Sequence, residues 1–215
     1  MQITRIERQK KNSSRASISL DGVYAFGVSD EVLLRAALHV GKEISPEEVK
    51  ELQEADAAET AKQRVMRFIG IRPRTAREIT TYLLRKGYSE EIAVMIVEKL
   101  TTLRLIDDME FARMFCRDRL KLRPAGTQLL RRQLVQKGVA RPLIDLVLQE
   151  LSPASSETDT AADAAGRYWN RISRSRAATD PLVAKKKLFD HLMRRGFNYE
   201  TSKAAIAHLL RDRDE

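Results

Sequence analysis

The chain has 215 residues, of which 43% are hydrophobic and only 6% aromatic, so its cores rely on Leu, Ile, Val and Ala. Cores of this kind favour helices over an all-β sandwich. The net charge of +9 makes nucleic acid or another polyanion the expected partner, with a solvated basic surface as the alternative. A single cysteine excludes an intrachain disulfide and a cysteine zinc cluster.

The first 29 residues predict a small β-sheet rather than a helix. Weak alternation of apolar and polar residues flanks Asp21-Gly22, which is a hairpin turn signal. We expect two or three short antiparallel strands, and these need support because so small a sheet is marginal alone. Ser29 or Asp30 can then cap a short helix that ends near Gly41.

A second helix is predicted to begin at Pro46. Ser45 is its candidate N-cap, and Glu48 completes a capping box with that serine. Between Glu43 and Glu59 the chain carries seven acidic residues and one basic residue, a net charge of −6. An acidic segment in a basic chain indicates either an intramolecular contact or a soluble helix.

The rest of the chain repeats. Three glycines, each preceded by a cation, lie 51 and 58 residues apart: Gly87, Gly138 and Gly196. A leucine stands four residues before each glycine, an Ile or Leu eight before, and apolar residues ten and thirteen after. This spacing predicts a helix with one apolar face that ends at the glycine in a left-handed cap, followed by a second helix.

An earlier helix in each repeat is marked by apolar and aromatic clusters, namely Val65, Met66 and Phe68, then Phe111, Ala112 and Phe115, then Ala165, Tyr168 and Trp169. Each unit is therefore a three-helix module that must stack on its neighbours. The predicted fold is mainly α: three tandem three-helix repeats, elongated and curved, behind a small N-terminal antiparallel sheet. The predicted boundaries are residues 1–59 for the N-terminal sheet and helices, 60–106, 107–151 and 165–215 for the modules, and 152–164 for a linker.

Helix start signals support this phasing. Thr75 and Glu78 form a capping box before the first glycine-terminated helix. Asp107 can cap the helix that opens the second module, with Glu110 at its third position. This cap accounts for the acidic pair Asp107-Asp108 without catalysis.

Two segments are predicted to be connections. Residues 152–164 are polar and small, which is typical of a linker, and residues 173–180 form a second candidate loop. The lone Cys116 stands in an apolar run and is expected to be a buried core thiol.

The sequence shows no catalytic pattern. It has no phosphate-binding glycine loop and no paired histidine motif, and His39, His191 and His208 lack a neighbouring nucleophile. We therefore expect no enzyme activity, no cofactor and no metal. No apolar signal region or 18-residue apolar stretch occurs, so a cytoplasmic protein without membrane contact is expected.

Basic residues are the stronger indication of function. The segment between residues 117 and 137 contains seven cations and one acid, and the segment between residues 167 and 195 contains nine cations and two acids. This density can neutralise several phosphates, although about half of these cations are expected to lie on ordinary solvated faces. Tyr168 and Trp169 could stack on bases, but core positions are the expectation. The candidate nucleic-acid or filament-binding residues are Arg117, Arg119, Lys121, Arg123, Arg131, Arg132, Arg171, Arg174, Arg176, Lys185, Lys186 and Lys187.

Several motifs resemble the RecX family. They are residues 72–79 (RPRTAREI) with Leu83 and Lys86-Gly87-Tyr88, residues 103–112 (LRLIDDMEFA), residues 119–126 with Leu134 and Lys137-Gly138-Val139, and the N-terminal Ile6 to Lys11 with Asp21-Gly22. The match covers most of the chain and is most specific between Arg72 and Leu151. Thr75 and Ala76 depart from the family, which often has Ser and an acidic residue there.

The resemblance implies a regulator of the RecA recombinase. RecX proteins associate with the RecA filament on single-stranded DNA, lodge in its groove, and lower strand exchange and ATP hydrolysis in DNA repair and recombination. The implied partners are the RecA filament and single-stranded DNA, with double-stranded DNA as a second candidate. No heptad seam is present, so a monomer is expected.

Two other interpretations compete with this one. The first is a general DNA-binding helical repeat protein without a recombinase partner, which does not require the motif set around Arg72. The second is a scaffold whose repeats bind only protein, which the excess of cations in modules two and three disfavours.

Overall fold

The computed structural model describes residues 1–10, 12–151, 154–173 and 180–214, with the backbone alone described for 154–156 and 212–214. These ranges contain three strands followed by ten helices. The chain forms two compact units, Met1–Pro73 with Ile79–Ile106 and Arg74–Glu78 with Asp107–Glu215. The fold is mainly helical with a small N-terminal sheet, as predicted.

The N-terminal sheet is antiparallel with the strand order β1-β2-β3, formed by β1 (Ile3–Gln9), β2 (Asn12–Leu20) and β3 (Val23–Ser29). Asp21 and Gly22 join the last two strands with φ of 48° and 87°, the left-handed region that favours this residue pair. One face of the sheet is buried, through Ile3, Ala16, Ile18, Leu20, Phe26 and Val28. Residues from the two helices that follow pack on this face and give the sheet the support it was expected to need.

The short helix α1 (Asp30–Arg35) is capped by Ser29, whose hydroxyl accepts a hydrogen bond from a backbone N–H of the first turn. The predicted end near Gly41 is wrong, because Ala37 adopts a left-handed φ of 45° and breaks the helix earlier. The Gly41 N–H instead donates to the carbonyl of Ile3 at 2.8 Å. That residue therefore fastens the loop to the edge of the sheet.

Helix α2 (Pro46–Ile71) runs without interruption for 26 residues. Its capping box is confirmed, since the Ser45 hydroxyl accepts from the Glu48 N–H at 3.1 Å and the Glu48 carboxylate accepts from the Ser45 N–H at 2.7 Å. The predicted boundary between residues 59 and 60 falls inside this helix. No glycine or proline occurs between residues 47 and 69 to end it.

A buried ion pair joins α2 to the sheet. The Arg15 guanidinium donates to the Asp56 carboxylate at 2.6 Å, and their side chains are only 23% and 9% exposed. Asp56 also accepts from the Ser29 N–H at 2.6 Å, while Arg15 donates to the Thr60 hydroxyl and the Gly27 carbonyl. Part of the acidic segment therefore makes an intramolecular contact.

The repeat frame is confirmed. The remaining helices are α3 (Ala76–Arg85), α4 (Glu90–Thr102), α5 (Asp108–Leu122), α6 (Thr127–Lys137), α7 (Arg141–Leu151), α8 (Ala154–Ile172), α9 (Pro181–Arg194) and α10 (Tyr199–Asp214). The three frame glycines have φ of 85°, 89° and 84°. The residues four and eight before each glycine are all fully buried: Ile79, Leu83, Leu130, Leu134, Leu188 and Leu192.

The linker prediction is wrong for residues 154–164, which belong to α8. Small residues there are core residues rather than linker residues, because Ala161 and Ala164 are buried against the third module's core. Helix α9 begins with Pro181, and the Asp180 side chain caps it by accepting from two backbone N–H groups of its first turn. Most of the second candidate loop, residues 174–179, lies outside the described residues.

The junctions between consecutive modules share one design. The start of α3 lies against the glycine end of α6, where the Thr75 hydroxyl donates to the carbonyl of Lys137 at 2.6 Å. The Ala76 N–H donates to the Asp108 carboxylate at 2.9 Å. Burial raises the pKa of Asp108, and nearby Asp107 and Glu78 act in the same direction.

The second junction repeats these contacts with different residues. The Gly126 N–H donates to the carbonyl of Arg195 at 2.9 Å, and the Thr127 N–H donates to the Glu157 carboxylate at 3.0 Å. At both junctions, a carboxylate from the first turn of the next module caps the middle helix of the preceding one. The residue before the next module's glycine supplies the acceptor carbonyl.

The other local predictions in the second module are also confirmed. The Asp107 carboxylate accepts from the Met109 and Glu110 N–H groups at 2.8 and 3.0 Å and caps α5. The two neighbouring acids therefore have different roles: Asp107 caps its own helix, and Asp108 accepts the hydrogen bond at the junction between modules. Cys116 is fully buried, and burial raises the pKa of its thiol to about 11.

Candidate nucleic-acid interface

A basic cleft lies between the second and third modules, inside one compact unit. Two cavities of about 330 and 640 Å³ share the side chains of Leu122, Arg123 and Arg195. The other cations that line them are Arg119, Arg167 and Arg171, and no acidic residue is among the described lining residues. We call the group Arg119, Arg123, Arg171 and Arg195, together with Tyr168, the arginine cleft.

Helix ends place the arginines of the cleft. Arg119 lies in the last turn of α5, where its guanidinium donates to the Gln133 side chain at 3.0 Å. Arg123 follows that helix with extended backbone angles (φ −155°, ψ 134°), because the residue before a proline is disfavoured in the helical region. Arg195 precedes the third frame glycine, and its guanidinium donates to the carbonyl of Pro124.

The cleft concentrates positive charge, and no acid among the described residues lines it. Partial burial lowers the pKa of Arg195, and the guanidinium groups of Arg123 and Arg119 lower it further. Within the described part of the chain, Asp163 is the one acid that pairs with an arginine of the lining, at 2.9 Å from Arg167. Because like charges held close together repel each other, an anion bound between them is stabilised. Guanidinium groups match the geometry of phosphate oxygens.

Tyr168 is engaged within the protein. Its ring stacks on the His191 imidazole with centroids 4.1 Å apart, and the Arg171 guanidinium lies 4.9 Å from the ring centroid. The ring also packs on the third module's core, as the sequence predicted. Tyr168 therefore positions Arg171 at the edge of the cleft through a cation–π contact.

His191 gives this region a pH dependence. Burial lowers the pKa of its imidazole to about 4, with further contributions from Arg195, Arg171 and Arg194. The unfolded chain binds a proton at this residue below about pH 6.5, whereas the folded chain does not until about pH 4. Stability contributed by neutral His191 is therefore fully present above pH 6.5 and lost progressively as the pH falls toward 4.

We expect His191→Phe to flatten that dependence, because phenylalanine keeps the stack on Tyr168 but binds no proton. Thermal unfolding of parent and variant at pH 7 and pH 5 measures the effect. The parent should lose more thermal stability than the variant over this interval. Equal losses in the two proteins would contradict the assignment.

The structure brings three of the predicted cations together, namely Arg119, Arg123 and Arg171. It adds Arg195, which was counted among the cations between residues 167 and 195 but was not one of the candidates. Other candidates lie elsewhere on the same unit. Arg131 is paired with Asp145, whereas Lys121, Arg132 and Lys185 to Lys187 are exposed outside the cleft.

Arg117 is the one remaining candidate cation among the described residues. Arg117 is exposed and close enough to Glu150 to lower the pKa of that carboxyl, after the larger effect of Arg113. Arg174 and Arg176 lie outside the described residues. In the part of the chain that is described, no three His, Cys, Asp or Glu side chains come together as a group that could hold a metal ion. None of the helices described combines the length and apolarity needed to cross a bilayer.

The fold and the cleft define a tandem three-helix repeat protein with a small sheet at its N-terminus. Four family models match in the same order. They are the regulatory protein RecX N-terminal domain at residues 1–45 and the first, second and third three-helix domains of RecX at residues 61–100, 107–148 and 156–206.

Individual proteins show the same similarity over the whole chain. A Regulatory protein RecX from Clostridium beijerinckii is 32% identical over 97% of this chain and 95% of its own length. One from Listeria monocytogenes is 31% identical over 100% of this chain and 78% of its own. A crystal structure of regulatory protein RecX superposes with a TM-score of 0.75 at 27% identity, covering 94% of this chain and 97% of that one. The chain belongs to the RecX family of regulatory proteins.

Proposed function

We propose that this protein binds the RecA filament on single-stranded DNA and lowers the recombinase's ATPase and strand-exchange activities. The observation that carries the proposal is the arginine cleft, four guanidinium groups that no acidic residue of the described lining neutralises. Membership of a family of regulatory proteins supports a regulatory rather than a catalytic role. The expected monomeric state and cytoplasmic location are part of the same proposal.

The cleft suits a phosphate backbone better than a small anion. Its cations come from both modules of a junction, so they can contact successive phosphates along one strand. Contacts of this kind provide affinity without base specificity, as a protein that follows a nucleoprotein filament requires. Each remaining candidate cation outside the cleft is proposed as a weaker, peripheral contact.

RecA's DNA-dependent ATPase tests the function directly. A regulator of the filament is expected to lower the ATPase at amounts well below one protein per recombinase subunit. The cleft alone would also be compatible with a general DNA-binding protein. Such a protein lowers the ATPase rate only by competing for DNA, so added single-stranded DNA restores the rate. A scaffold that binds only other proteins leaves the rate unchanged.

The cleft is tested by the triple variant Arg119→Ala/Arg123→Ala/Arg171→Ala, which spares Arg195 because its side chain also holds the junction together. We expect its affinity for a single-stranded oligonucleotide to fall at least about tenfold at low salt. The slope of log affinity against log salt should become shallower by about 2, since about 0.7 counterions are released per phosphate contact. Fluorescence anisotropy across a salt series measures both quantities.

The matched control removes the same charge from the same unit. Arg141, Lys203 and Arg211 are exposed cations that do not line the cleft. Their combined replacement by alanine should leave the salt slope close to that of the parent. If the two triple variants lose affinity equally, net charge rather than the cleft determines binding, and the assignment of the cleft fails.

A further inference from the structure

An apolar groove lies in the other compact unit, between α2 and α4. Its volume is about 410 Å³, and its floor contains the buried Ile96 and Leu100. Its walls expose large apolar side chains by 41% to 59% of their surface: Met66, Met95, Leu103 and Leu105. Large apolar side chains gathered at an exposed groove typically mark an interaction site.

The groove has the dimensions of a helix-binding surface. Its lining residues on α2 recur along one face, from Ala55 through Lys62 to Met66. Ala55 and Met66 are eleven residue steps apart, which along a helix is about 16 Å or about three turns. The alanines let a partner backbone approach closely, and methionines adapt their shape to the side chains of a partner helix.

Charge at the rim restricts the kind of partner. The rim carries Arg35, Lys62 and Lys99, with Glu59 as the one acid of the described lining. Lys62 is paired with Glu59 at 2.9 Å and with Glu31 at 3.5 Å, so the charge available to a partner is that of Arg35 and Lys99. In the described parts of the chain, Arg35 and Lys99 have no acidic partner. A cationic rim around an apolar floor is complementary to an apolar helix flanked by acidic residues.

We infer that this groove binds an amphipathic helix with acidic flanks on a protein partner. The inference rests on the proposed function and deepens it: in the RecA filament the groove contacts protein, while the arginine cleft contacts DNA. The two contacts are then separable, because their residues lie in different compact units. A variant of either surface should lose one kind of binding and keep the other.

The test introduces negative charge into the groove with Met95→Glu/Leu103→Glu. Both side chains are about half exposed, so the fold should tolerate the change, as circular dichroism will verify. We expect affinity for the RecA filament to fall at least about tenfold, while affinity for a bare single-stranded oligonucleotide stays within about twofold. The matched control, Leu84→Glu/Val94→Glu, changes two residues of 45% and 44% exposure outside the groove and should keep both affinities.

The rim is tested separately by Arg35→Ala/Lys99→Ala. Filament affinity should decrease and become less dependent on salt, with unchanged oligonucleotide affinity. Unchanged filament affinity in the groove variant, or equal losses on filament and oligonucleotide, would overturn the inference. A dimer of the parent in sedimentation, absent in the groove variant, would also overturn the inference, because the groove would then bind a second copy of this chain. If the parent itself fails to bind the filament, the proposed function falls, and this assignment of partner falls with it.

Discussion

Gly196→Ala is expected to destabilise the protein by about 3 kcal/mol or more, through two independent effects. The residue has a φ of 84°, which costs a non-glycine residue roughly 1–2 kcal/mol. A Cβ atom there would lie 2.3 Å from the backbone nitrogen of Leu129 and 2.8 Å from its Cα atom. Because the obstacle is backbone in the facing module, relieving the overlap requires moving the junction itself, which typically costs about 1–3 kcal/mol more.

The other frame glycines provide the controls. Gly87 has nearly the same φ, 85°, but a Cβ there would meet no atom within 4 Å. Gly138 has a φ of 89° and would place its Cβ 2.4 Å from the Cβ of Arg77. Urea unfolding of the three alanine variants, followed by circular dichroism, measures the loss in free energy of unfolding. The loss should be about 1 kcal/mol at Gly87 and larger at Gly138 and Gly196. Equal losses at all three positions would show that junction packing contributes nothing.

Asp56→Ala is the second substitution expected to have a large effect, costing about 3–5 kcal/mol, the range for breaking a buried ion pair. The change would leave the Arg15 guanidinium without its counter-charge and the Ser29 N–H without its acceptor. Asp56→Asn keeps one acceptor oxygen and should cost less. Far-ultraviolet circular dichroism during urea unfolding measures these losses in the sheet-containing unit.

Glu54→Ala, two residues earlier on the same helix, is the control. Glu54 pairs with Lys50 at 3.9 Å, and both side chains are more than 60% exposed (67% and 80%). Such surface pairs contribute about 0.5 kcal/mol or less. If Asp56→Ala were as mild as Glu54→Ala, the ion pair would not be what secures α2 to the sheet.

Local rules predicted most of the architecture. The glycine frame, the Ser45 capping box, the Asp107 cap and the Asp21-Gly22 turn depend on residues within a few positions of one another, and each is confirmed. These features are readable in a sequence because a helix end or a turn satisfies its hydrogen bonds locally. The linker prediction failed where composition was the only guide, because alanine is common both in polar linkers and in tightly packed helices.

The candidate site was only partly predictable because its residues meet across long separations in sequence. Counting cations along the chain could not show that Arg195 lies beside Arg123, or that Asp145 neutralises Arg131 from another helix. The role of Asp108 was also hidden, since its partner Ala76 belongs to the preceding module. Charge density along the chain predicted a polyanion partner, which stays a prediction, whereas the position of the cleft depends on tertiary packing.

The start of α9 differs from the starts of the middle helices in the first two modules. In the first two modules, the middle helix begins at Ala76 or Thr127. The N–H of that residue donates a hydrogen bond to a carboxylate of the next module. In the third module that position is Pro181, which has no N–H, and Asp180 already caps the helix. A further repeat docked on the third module in the same way would therefore lack the hydrogen bond from an N–H to a carboxylate that both existing junctions have.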